Sequence, residues 1–330
     1  MPGQRVEALD GTYAVNLRWD PASGLGRSGT FSAPITFEGF GSGAVFRSAS
    51  TSGSEMFKVT GGASYLRFRN FKVEASPTLW TGTGHQAFYV SGVGGAHDVD
   101  LLGLEFAGAN HDITPFLVGP GAVRVNLVGN RCHDWGNGSA QRQCFYVQAD
   151  SGLVANNLVY RDPNGFGIQI RADTDTVKTC NIIVVNNTVV DIGAQRGIYV
   201  ENNCSGVLMR NNIVAFSGGE ELKGLYESGQ DPPTSTNRAF TNLLWDTSGP
   251  MTSNTVPHHI LDFSDGAGVW SGLGENISGD PRFVSRSNRD YHLGANSPAL
   301  GQSDPHYTFP FDFEGNPRPA APDLGALERP

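Results

Sequence analysis

A short motif recurs roughly every 30 residues through the middle of the chain: an apolar residue, any residue, and a second apolar residue. The copies are Phe57-Lys58-Val59, Phe88-Tyr89-Val90, Phe116-Leu117-Val118, Phe145-Tyr146-Val147, Ile168-Gln169-Ile170, Ile198-Tyr199-Val200 and a degenerate Leu225-Tyr226-Glu227. Successive side chains of a strand point to opposite faces, so the outer two residues of each copy are expected inside and the middle one outside. Units this short cannot bury an apolar face alone, so the copies must stack on one another.

A second apolar segment follows each motif and ends in a recurring Asn. The members of this Asn column are Asn70, Asn130, Asn157, Asn187, Asn212 and Asn242, with Gly103 at the equivalent position of one repeat. Asn and Gly both tolerate the left-handed backbone conformation, and stacked Asn side chains can hydrogen-bond along the axis. A third short strand follows each Asn. The sequence therefore predicts an all-β, single-domain parallel β-helix, a solenoid with three short strands per coil and an internal Asn ladder.

Composition agrees with this fold and excludes two kinds of partner. The chain has 43 Gly and 19 Pro but only 17% charged residues, which favours short strands and tight turns over amphipathic helices. A net charge of -9 with only four lysines argues against nucleic acid, which needs a concentrated basic surface. The sequence contains no run of 18 apolar residues, so we predict no membrane span. We expect a monomer.

The repeats resemble the right-handed parallel β-helix family typified by pectate lyases. The segments Pro2-Gly3-Gln4, Asp10-Gly11-Thr12-Tyr13, Ser28-Gly29-Thr30 and Ala33–Phe37 look like the first coil of many secreted members. The segments Gly279–Val284, Asp290–Leu293, Asn296–Leu300, Asp312–Pro319 and Asp323–Ala326 resemble the closing part of bacterial polysaccharide-active members. The resemblance implies a right-handed helix whose C-terminal segment lies along and caps the final coils, because an open solenoid end exposes apolar side chains.

This interpretation divides the chain into three parts. Residues 1–53 are expected to form the N-terminal first coil or coils, with part of that coil missing upstream. Residues 54–250 are expected to hold the coils with the Asn ladder, and residues 251–330 the final coils and the cap. Three active-site motifs of such proteins are absent: the polygalacturonase carboxylates, the pectate lyase Trp-x-Asp-His and the epimerase Asp-Pro-His-Asp. The resemblance therefore does not transfer one specific activity.

The four cysteines fit the predicted register. Cys180 precedes Asn187 by seven residues and Cys204 precedes Asn212 by eight, so stacking brings them within disulfide reach on adjacent coils. Cys132 and Cys144 flank one loop and can close it in the same way. Two disulfides would indicate an oxidising compartment, so a secreted or extracytoplasmic location is expected, although the first residues, Met1-Pro2-Gly3-Gln4-Arg5, lack the pattern of a secretory signal. Four buried thiols are the alternative.

The register also predicts which side chains face outward on the first sheet. One column contains Lys58, Tyr89, Leu117, Tyr146, Gln169, Tyr199 and Tyr226, and its neighbour contains Thr60, Ser91, Gly119, Gln148, Arg171, Glu201 and Ser228. Tyrosines along the axis offer flat amphipathic surfaces on which sugar rings stack, while the glutamines can bond sugar hydroxyls. Aromatic residues also simply favour strands, so covered tyrosines are an equal alternative.

Arg171 is the predicted centre of a catalytic site. Gln148 lies one coil before it and Glu201 one coil after it, each about 5 Å away. In β-elimination a base removes the proton next to a carboxylate, and positive charge stabilises the resulting anion. Arg171 would supply that positive charge. Alternatively, as the pectate lyase resemblance implies, Arg171 would act as the base, although its high ordinary pKa opposes proton abstraction. A plain ion pair with Glu201 is the alternative.

Two aspartates form a second constellation. Asp150 and Asp173 occupy equivalent turns two residues beyond Gln148 and Arg171. Stacked oxygens suit calcium, which would let an acidic protein bind an acidic polysaccharide by bridging carboxylates. Two carboxylates about 5 Å apart also fit a retaining glycosidase. Turn aspartates that bond only their own backbone are the third possibility.

A third group ends two neighbouring strands. His133 and Asp134 are candidate proton carriers, Trp135 is a candidate sugar-stacking ring, and Arg161 ends the next strand at the same level. All four are expected to border the groove on the first sheet. A structural His at a strand end is the alternative.

The sequence thus predicts a protein that binds an extended polysaccharide or oligosaccharide, with calcium as the one candidate cofactor and no organic cofactor. The first hypothesis is a lyase that cleaves a uronate-containing polysaccharide by β-elimination. A glycoside hydrolase using Asp150, Asp173 and Glu201 is the second, and a non-catalytic glycan-binding or fibre solenoid is the third. The fold alone does not choose among them.

Overall fold

The structure is a computed structural model that describes residues 1–41, 43–49, 55–75, 85–108, 113–136, 142–163, 165–172, 178–193, 196–201, 204–217, 225–228, 237–245 and 276–330. Across these residues the strands form three long parallel sheets, in which each strand pairs with its equivalents on the coils before and after it. The predicted parallel β-helix with three strands per coil is confirmed. No helix in the described ranges is long and apolar enough to cross a bilayer.

Sheet 1 contains the recurring motif. Its strands are β3 (Leu17–Trp19), β6 (Glu55–Val59), β9 (His85–Val90), β12 (Ile113–Val118), β15 (Gln143–Val147), β18 (Phe166–Ile170), β22 (Ile198–Glu201) and β26 (Leu225–Ser228). The last of these pairs Leu225 with Ile198 and Tyr226 with Tyr199. The degenerate copy is therefore a true coil of the sheet.

Sheets 2 and 3 complete each coil. Sheet 2 consists of β1 (Arg5–Ala8), β4 (Ile35–Gly39), β7 (Ser64–Arg69), β10 (His97–Leu102), β13 (Val123–Val128), β16 (Gly152–Ala155), β20 (Ile182–Val185), β24 (Leu208–Arg210) and β27 (Arg238–Phe240). Sheet 3 consists of β2 (Gly11–Val15), β5 (Ala44–Ser48), β8 (Lys72–Glu74), β11 (Glu105–Ala107), β14 (Arg131–His133), β17 (Leu158–Asp162), β21 (Thr188–Ile192), β25 (Ile213–Ala215), β28 (Leu243–Trp245) and β29 (Ile277–Ser278).

Smaller elements lie beside the coils. The strands β19 (Lys178–Thr179) and β23 (Cys204–Ser205) pair in parallel, and β30 (Phe283–Ser285) and β31 (Asp290–Leu293) form an antiparallel pair. Short 3-10 helices cover Pro21–Ser23, Arg286–Asn288 and Pro305–Tyr307.

The core is a stack of equivalent side chains from successive coils. The rings of Phe57 and Phe88 stack with centroids 4.5 Å apart, and Phe88 stacks on Phe116 at 5.9 Å. Phe145 follows 5.0 Å from Phe116, and all four rings are fully buried. Stacked rings of this kind contribute about 0.5–1.5 kcal/mol per pair beyond the burial of their area. The predicted inward column of sheet 1 is confirmed.

The Asn ladder is present between sheets 2 and 3, but it begins later than predicted. Each amide Nδ2 donates to the Oδ1 of the next Asn: Asn130 to Asn157 at 3.1 Å, Asn157 to Asn187 at 2.9 Å, Asn187 to Asn212 at 2.9 Å, Asn212 to Asn242 at 2.8 Å and Asn242 to Asn276 at 2.9 Å. The Oδ1 atoms also accept from backbone N–H groups, so the buried amides are satisfied. Asn276 is a ladder member that the sequence analysis missed.

Asn70 and Gly103 do not belong to this ladder, and their placement there is corrected. Both have positive φ, 58° and 59°, and they stand in the column of Asn156, Asn186 and Asn211, one residue before the ladder. Phe71 and Leu104 fill the ladder position on the first coils, and both are buried. The tight turn thus uses two adjacent columns, of which one takes the left-handed backbone and the other carries the buried amide.

Both predicted disulfides are confirmed. Cys132 bonds Cys144, and Cys180 bonds Cys204 across adjacent coils with the Cα atoms 5.6 Å apart. The first bond joins a strand of sheet 3 to the next strand of sheet 1, and the second joins neighbouring coils. The two disulfides therefore close different loops, and each lowers the conformational entropy of the unfolded chain.

The C-terminal segment packs along the outer face of sheet 3. Its side chains Tyr291, Leu293, Leu324 and Leu327 are buried against outward residues of that sheet. Arg318 spans the junction, where its Nη2 donates to Asn156 Oδ1 at 3.0 Å and to Gly325 O at 2.8 Å. The boundaries of the three predicted parts remain predictions.

Candidate functional site

The outward positions of sheet 1 form a line across successive coils that contains mostly polar and aromatic residues. The register pairs Lys58 with Tyr89, Tyr89 with Leu117, Leu117 with Tyr146, Tyr146 with Gln169, Gln169 with Tyr199 and Tyr199 with Tyr226. Parallel strands lie about 4.8 Å apart, so equivalent side chains form a ladder at that spacing. The column read from the sequence is therefore a physical row, which we call the central row.

The second row lies immediately beyond the strand ends. Its backbone N–H groups bond to the preceding coil: Ser91 to Val59 O at 2.7 Å, Gly119 to Val90 O at 2.8 Å, Gln148 to Val118 O at 2.8 Å and Arg171 to Val147 O at 3.0 Å. These bonds hold the residues after each strand in the same register as the strand. Arg171 and Gln148 thus lie on adjacent coils, as predicted.

Arg171 reaches across to the central row. Its Nη1 donates to the hydroxyl of Tyr146 on the preceding coil at 3.4 Å, and the Arg171 side chain is exposed. A guanidinium beside a phenol gives a cation and a hydrogen-bonding hydroxyl at one point of the face.

A third row, which the sequence analysis missed, flanks the central row on its other side. It contains Glu55, Gln86, Thr114, Gln143, Phe166 and Arg196. Thr114 Oγ1 donates to Gln143 Oε1 at 3.3 Å, and both side chains are at most 9% exposed. Each residue of this third row lies three positions before a residue of the central row, near the start of the strand. That spacing is the sequence signal for the row.

At the N-terminal end of the face, a cation lies over a ring. Lys58 Nζ is 5.1 Å from the ring centroid of Tyr89 and 2.7 Å from Glu55 Oε1. The Tyr89 ring leans over Gly119, where an added Cβ would lie 2.9 Å from the ring carbon Cε2. Gly119 is therefore required for this ring position.

At the other end of the described face, Tyr199 is enclosed rather than open. Its ring stacks on Phe166 at 5.5 Å, while the guanidinium of Arg196 covers it at 4.2 Å, and Tyr199 is only 5% exposed. Gln169 is 4% exposed. Tyr89 and Tyr146 are half-buried and keep an accessible surface, so these two rings are the candidates for contact with a ligand.

His133 and Asp134 lie on sheet 3, away from the rows just described. Both ring nitrogens of His133 face carboxylates: Nδ1 is 2.7 Å from Asp134 Oδ2 and Nε2 is 3.5 Å from Glu105 Oε1. The His133 ring stacks on Tyr160 at 5.0 Å, and Tyr160 contacts Tyr291 of the C-terminal segment at 5.1 Å. These contacts fix His133 in a packed junction, so its expected position at the groove is not supported.

The carboxylate of Glu105 interacts with several basic side chains around His133. The hydrogen bond from His133 lowers the pKa of Glu105 to about 2, and Lys72 and Arg131 add favourable charge against the opposing effect of burial. Lys72 Nζ lies 3.3 Å from Glu105 Oε1, and Arg131 Nη1 lies 3.7 Å from Oε2. A carboxylate held ionised in this way stabilises the fold and is a poor proton carrier near neutral pH.

Trp135 and Arg161 also differ from expectation. Trp135 is fully buried in the main core, so it presents no ring face on which a sugar could stack. Arg161 Nη2 pairs with Asp134 Oδ1 at 3.0 Å, and Asp134 is the same carboxylate that contacts His133. The expected sugar contacts of these two residues are therefore not supported.

Two of the predicted acidic residues cannot be placed as side chains. Asp173 lies outside the described residues, and for Glu201 the structure describes the strand position, paired with Ser228, but not the side chain. The same holds for the side chain of Tyr226. Asp150 is half-buried at the turn after β15. Among the described residues, no group of three His, Cys, Asp or Glu side chains is arranged to hold a metal ion.

Comparison with known proteins supports the fold. A family model for the right-handed β-helix region matches residues 105–239. The crystal structure of pectate lyase Pel9A matches with a TM-score of 0.55 at 14% identity, covering 100% of this chain and 88% of that chain. The chain therefore has the right-handed parallel β-helix fold that the sequence predicts. The mannuronan C-5 epimerase AlgE6 A-module of Azotobacter vinelandii gives a TM-score of 0.36 at 16% identity over 74% of this chain and 66% of that one.

Two further results complete the comparison. The Dettilon tailspike protein matches with a TM-score of 0.36 at 13% identity, covering 74% of this chain and 56% of that chain. A search of curated protein sequences finds no match.

Proposed function

We propose that this protein is a polysaccharide-active enzyme, a lyase that cleaves a uronate-containing chain by β-elimination along the outer face of sheet 1. The observation that carries the proposal is the pairing of Arg171 with Tyr146 at 3.4 Å within a row of polar and aromatic side chains that runs across successive coils. An enzyme acting on an extended polymer needs contacts repeated along one line, and the coil stacking supplies them.

The side chains on this face suit sugars. Tyr89 and Tyr146 offer half-buried rings for the apolar faces of pyranose units, and the amide of Gln148 can bond hydroxyl groups. Charge is locally favourable despite the net charge of -9, since Arg171 and Lys58 both lie on this face. A uronate carboxylate would therefore be attracted to this face of sheet 1.

The reaction assigns a distinct task to each group. Arg171 binds the uronate carboxylate and stabilises the negative charge that develops when the proton on the adjacent carbon is removed. The electron pair of that C–H bond forms the new C=C bond, and the glycosidic C–O bond breaks. In this proposal the hydroxyl of Tyr146, 3.4 Å from Arg171 Nη1, gives a proton to the departing oxygen. Glu201, at the next level of the second row, is the proposed base.

Calcium belongs to the proposal as a candidate cofactor held by Asp150 and Asp173. It would supply a bridge between the acidic protein and the carboxylates of the substrate. Chelation with EDTA tests this point: activity that survives chelation would remove calcium, and activity restored only by added calcium would support it.

The two disulfides support an extracytoplasmic place of action, because such bonds rarely persist in a reducing cytosol. The reaction itself is tested by incubating the protein with pectate, alginate, glucuronan and neutral glucans. Elimination yields an unsaturated uronate that absorbs in the near ultraviolet, and we expect this signal with one acidic polymer. New reducing ends without that absorbance would replace the lyase by the hydrolase, and binding without products would leave a non-catalytic solenoid.

A further inference from the structure

A cavity of about 330 Å³ lies on a different side of the solenoid, at the end of sheet 2. Its walls include Leu208 and Arg210 of β24, Arg238 and Phe240 of β27, and Tyr307 of the C-terminal segment. The volume is at the lower end of the ~300–1,000 Å³ range of small-molecule sites, which suits a ligand of the size of one sugar ring.

The register of the last two described coils of sheet 2 explains the arrangement. Leu208 pairs with Arg238, and Arg210 pairs with Phe240. Each coil therefore contributes one arginine and one apolar side chain, and the arginines are placed diagonally across the cavity floor. Such an alternation gives a carboxylated sugar both a charge partner and an apolar surface.

Arg210 forms the fixed wall of the cavity. Its guanidinium lies between two rings, 4.5 Å from the centroid of Phe240 and 4.3 Å from that of Tyr307. Asp304 holds it from the tail side, with Oδ2 2.9 Å from Arg210 Nη1. The positive charge of Arg210 is thus largely neutralised by Asp304. The contact of the Arg210 guanidinium with the Tyr307 ring holds that ring in position.

Hydrogen bonds between asparagine side chains and the backbone fix the segments around the cavity before any ligand binds. Asn211 Nδ2 donates to Asp304 O at 3.1 Å, and Asp304 N donates to Asn211 Oδ1 at 3.0 Å, which joins the tail to the coil. The buried Asn237 accepts from Val207 N at 2.9 Å and donates to Cys204 O at 2.9 Å. A site held in this way loses little conformational entropy on binding.

Arg238 is the uncompensated charge of this cavity. It is exposed, and it forms no ion pair with any described residue, whereas Arg210 beside it is paired with Asp304. An exposed arginine at the mouth of a preorganised aromatic cavity matches the planar two-oxygen geometry of a carboxylate. Inorganic anions offer charge without the ring that Tyr307 and Phe240 would contact.

We propose that this cavity is a binding site for a single carboxylated sugar, a hexuronate residue, separate from the face of sheet 1. Arg238 receives the carboxylate and Tyr307 contacts the ring. The inference does not depend on any reaction at Arg171. A polysaccharide chain could occupy both sites through different segments, which would raise the apparent affinity of the whole protein for the polymer.

Ligand-observed saturation-transfer NMR with D-glucuronate tests the proposal, with D-glucose as the neutral control. The Arg171→Gln protein is the background for every measurement, so that binding of the same sugar to sheet 1 is weakened. We expect saturation transfer to glucuronate and not to glucose, and a Kd raised roughly tenfold by Arg238→Gln, the loss of one charged hydrogen-bonding partner. Tyr307→Leu should weaken transfer to the ring protons while the protein stays folded.

Arg27→Gln is the matched control, since Arg27 is an exposed arginine on the N-terminal coils and its replacement changes the net charge equally. It should leave glucuronate binding unchanged. Equal losses in the Arg27 and Arg238 variants would overturn the proposal, because binding would then follow net charge alone. Full displacement of glucuronate by an equal concentration of sulfate would also overturn it, because the site would then select charge and not a sugar.

Discussion

On the coils from β15 onwards, the outer faces of sheets 3 and 1 have different chemistry. On sheet 3 the outward residues Leu158, Val190 and Ile213 are apolar and buried, and the C-terminal segment packs on them. On sheet 1 the equivalent outward residues are tyrosines, glutamines and arginine, and the described contacts of the C-terminal segment lie elsewhere.

This difference shows how a solenoid assigns its surfaces. The inner side of each coil is fixed by stacking, so only the outward residues are free to differ between sheets. Apolar outward residues bind the protein's own tail and gain stability from burial, at about 25 cal/mol per Å² of apolar surface removed from water. On sheet 1 the half-buried Tyr89 and Tyr146 and the exposed Arg171 leave surface that is available to a ligand. The surface that binds the tail and the candidate functional site are thus located on different sides of one repeat.

The strongest test of this division removes a buried ring from the covered side. Tyr291 is 2% exposed and contacts Tyr160 at 5.1 Å and Phe283 at 5.4 Å. Tyr291→Ala should lower the free energy of unfolding by about 3–5 kcal/mol, measured by urea denaturation, because it opens a cavity at the junction. Activity per folded molecule should not change. The matched control, Tyr146→Ala on sheet 1, should cost less than half as much stability, and equal losses would contradict the division.

The next test removes the charge on the open side. Arg171→Gln should lower turnover by about two to three orders of magnitude, equivalent to about 3–4 kcal/mol of transition-state stabilisation, with unchanged thermal stability. Arg161→Gln is the control on the junction side, where Arg161 pairs with Asp134. Its turnover should stay within about twofold of the unmodified protein. If both variants kept full activity, the site on sheet 1 would be rejected.

The fold could be predicted from the sequence because its signals repeat. Phe57, Phe88 and Phe116 recur in the same short motif. In stacked coils equivalent positions become neighbours regardless of the length of the loops between them. The misplacement of Asn70 in the ladder arose because Asn has two uses at the same turn. Asn70 takes the left-handed backbone while Asn130 offers a buried amide one position later, and the residue type alone does not distinguish them.

The candidate site was only partly predictable, for a physical reason. The rows of sheet 1 follow from strand periodicity, but the burial of a side chain depends on partners distant in sequence. Tyr160 beside His133 is covered by Tyr291 from more than a hundred residues away. That contact has no periodic signal. The surroundings of His133 and Trp135 could therefore not be predicted from the sequence.

A smaller effect concerns the acid sensitivity of the covered side. The pKa of Glu105 lies near 2 in the folded protein, below its ordinary 4.5, so its ionised form stabilises the fold. That contribution is complete above pH 4.5 and is lost as the pH falls towards 2. Glu105→Gln should therefore cost about 1–2 kcal/mol at neutral pH, allowing for solvent screening of a partly exposed group, and nothing near pH 2.

Denaturation of both proteins across this pH range measures the difference directly. The exposed Glu7, replaced by Gln, is the control and should give a smaller difference that varies little with pH. A Glu105 variant whose stability deficit stays constant down to the lowest pH would show that lost packing, not lost charge, is responsible.

The smallest expected effect asks whether ion pairs or apolar contacts hold the C-terminal segment to sheet 3. Arg289 Nη2 lies 3.8 Å from Asp134 Oδ2, and the Arg289 side chain is 45% exposed. A long, solvent-exposed pair of this kind contributes about 0–1 kcal/mol, and less in high salt. Arg289→Gln should therefore change the urea midpoint only slightly, and the change should vanish in 1 M NaCl, where the Debye length is about 3 Å. A salt-independent loss above about 2 kcal/mol would mean that the tail is held by charge at this junction, and the apolar account of the covered side would fail.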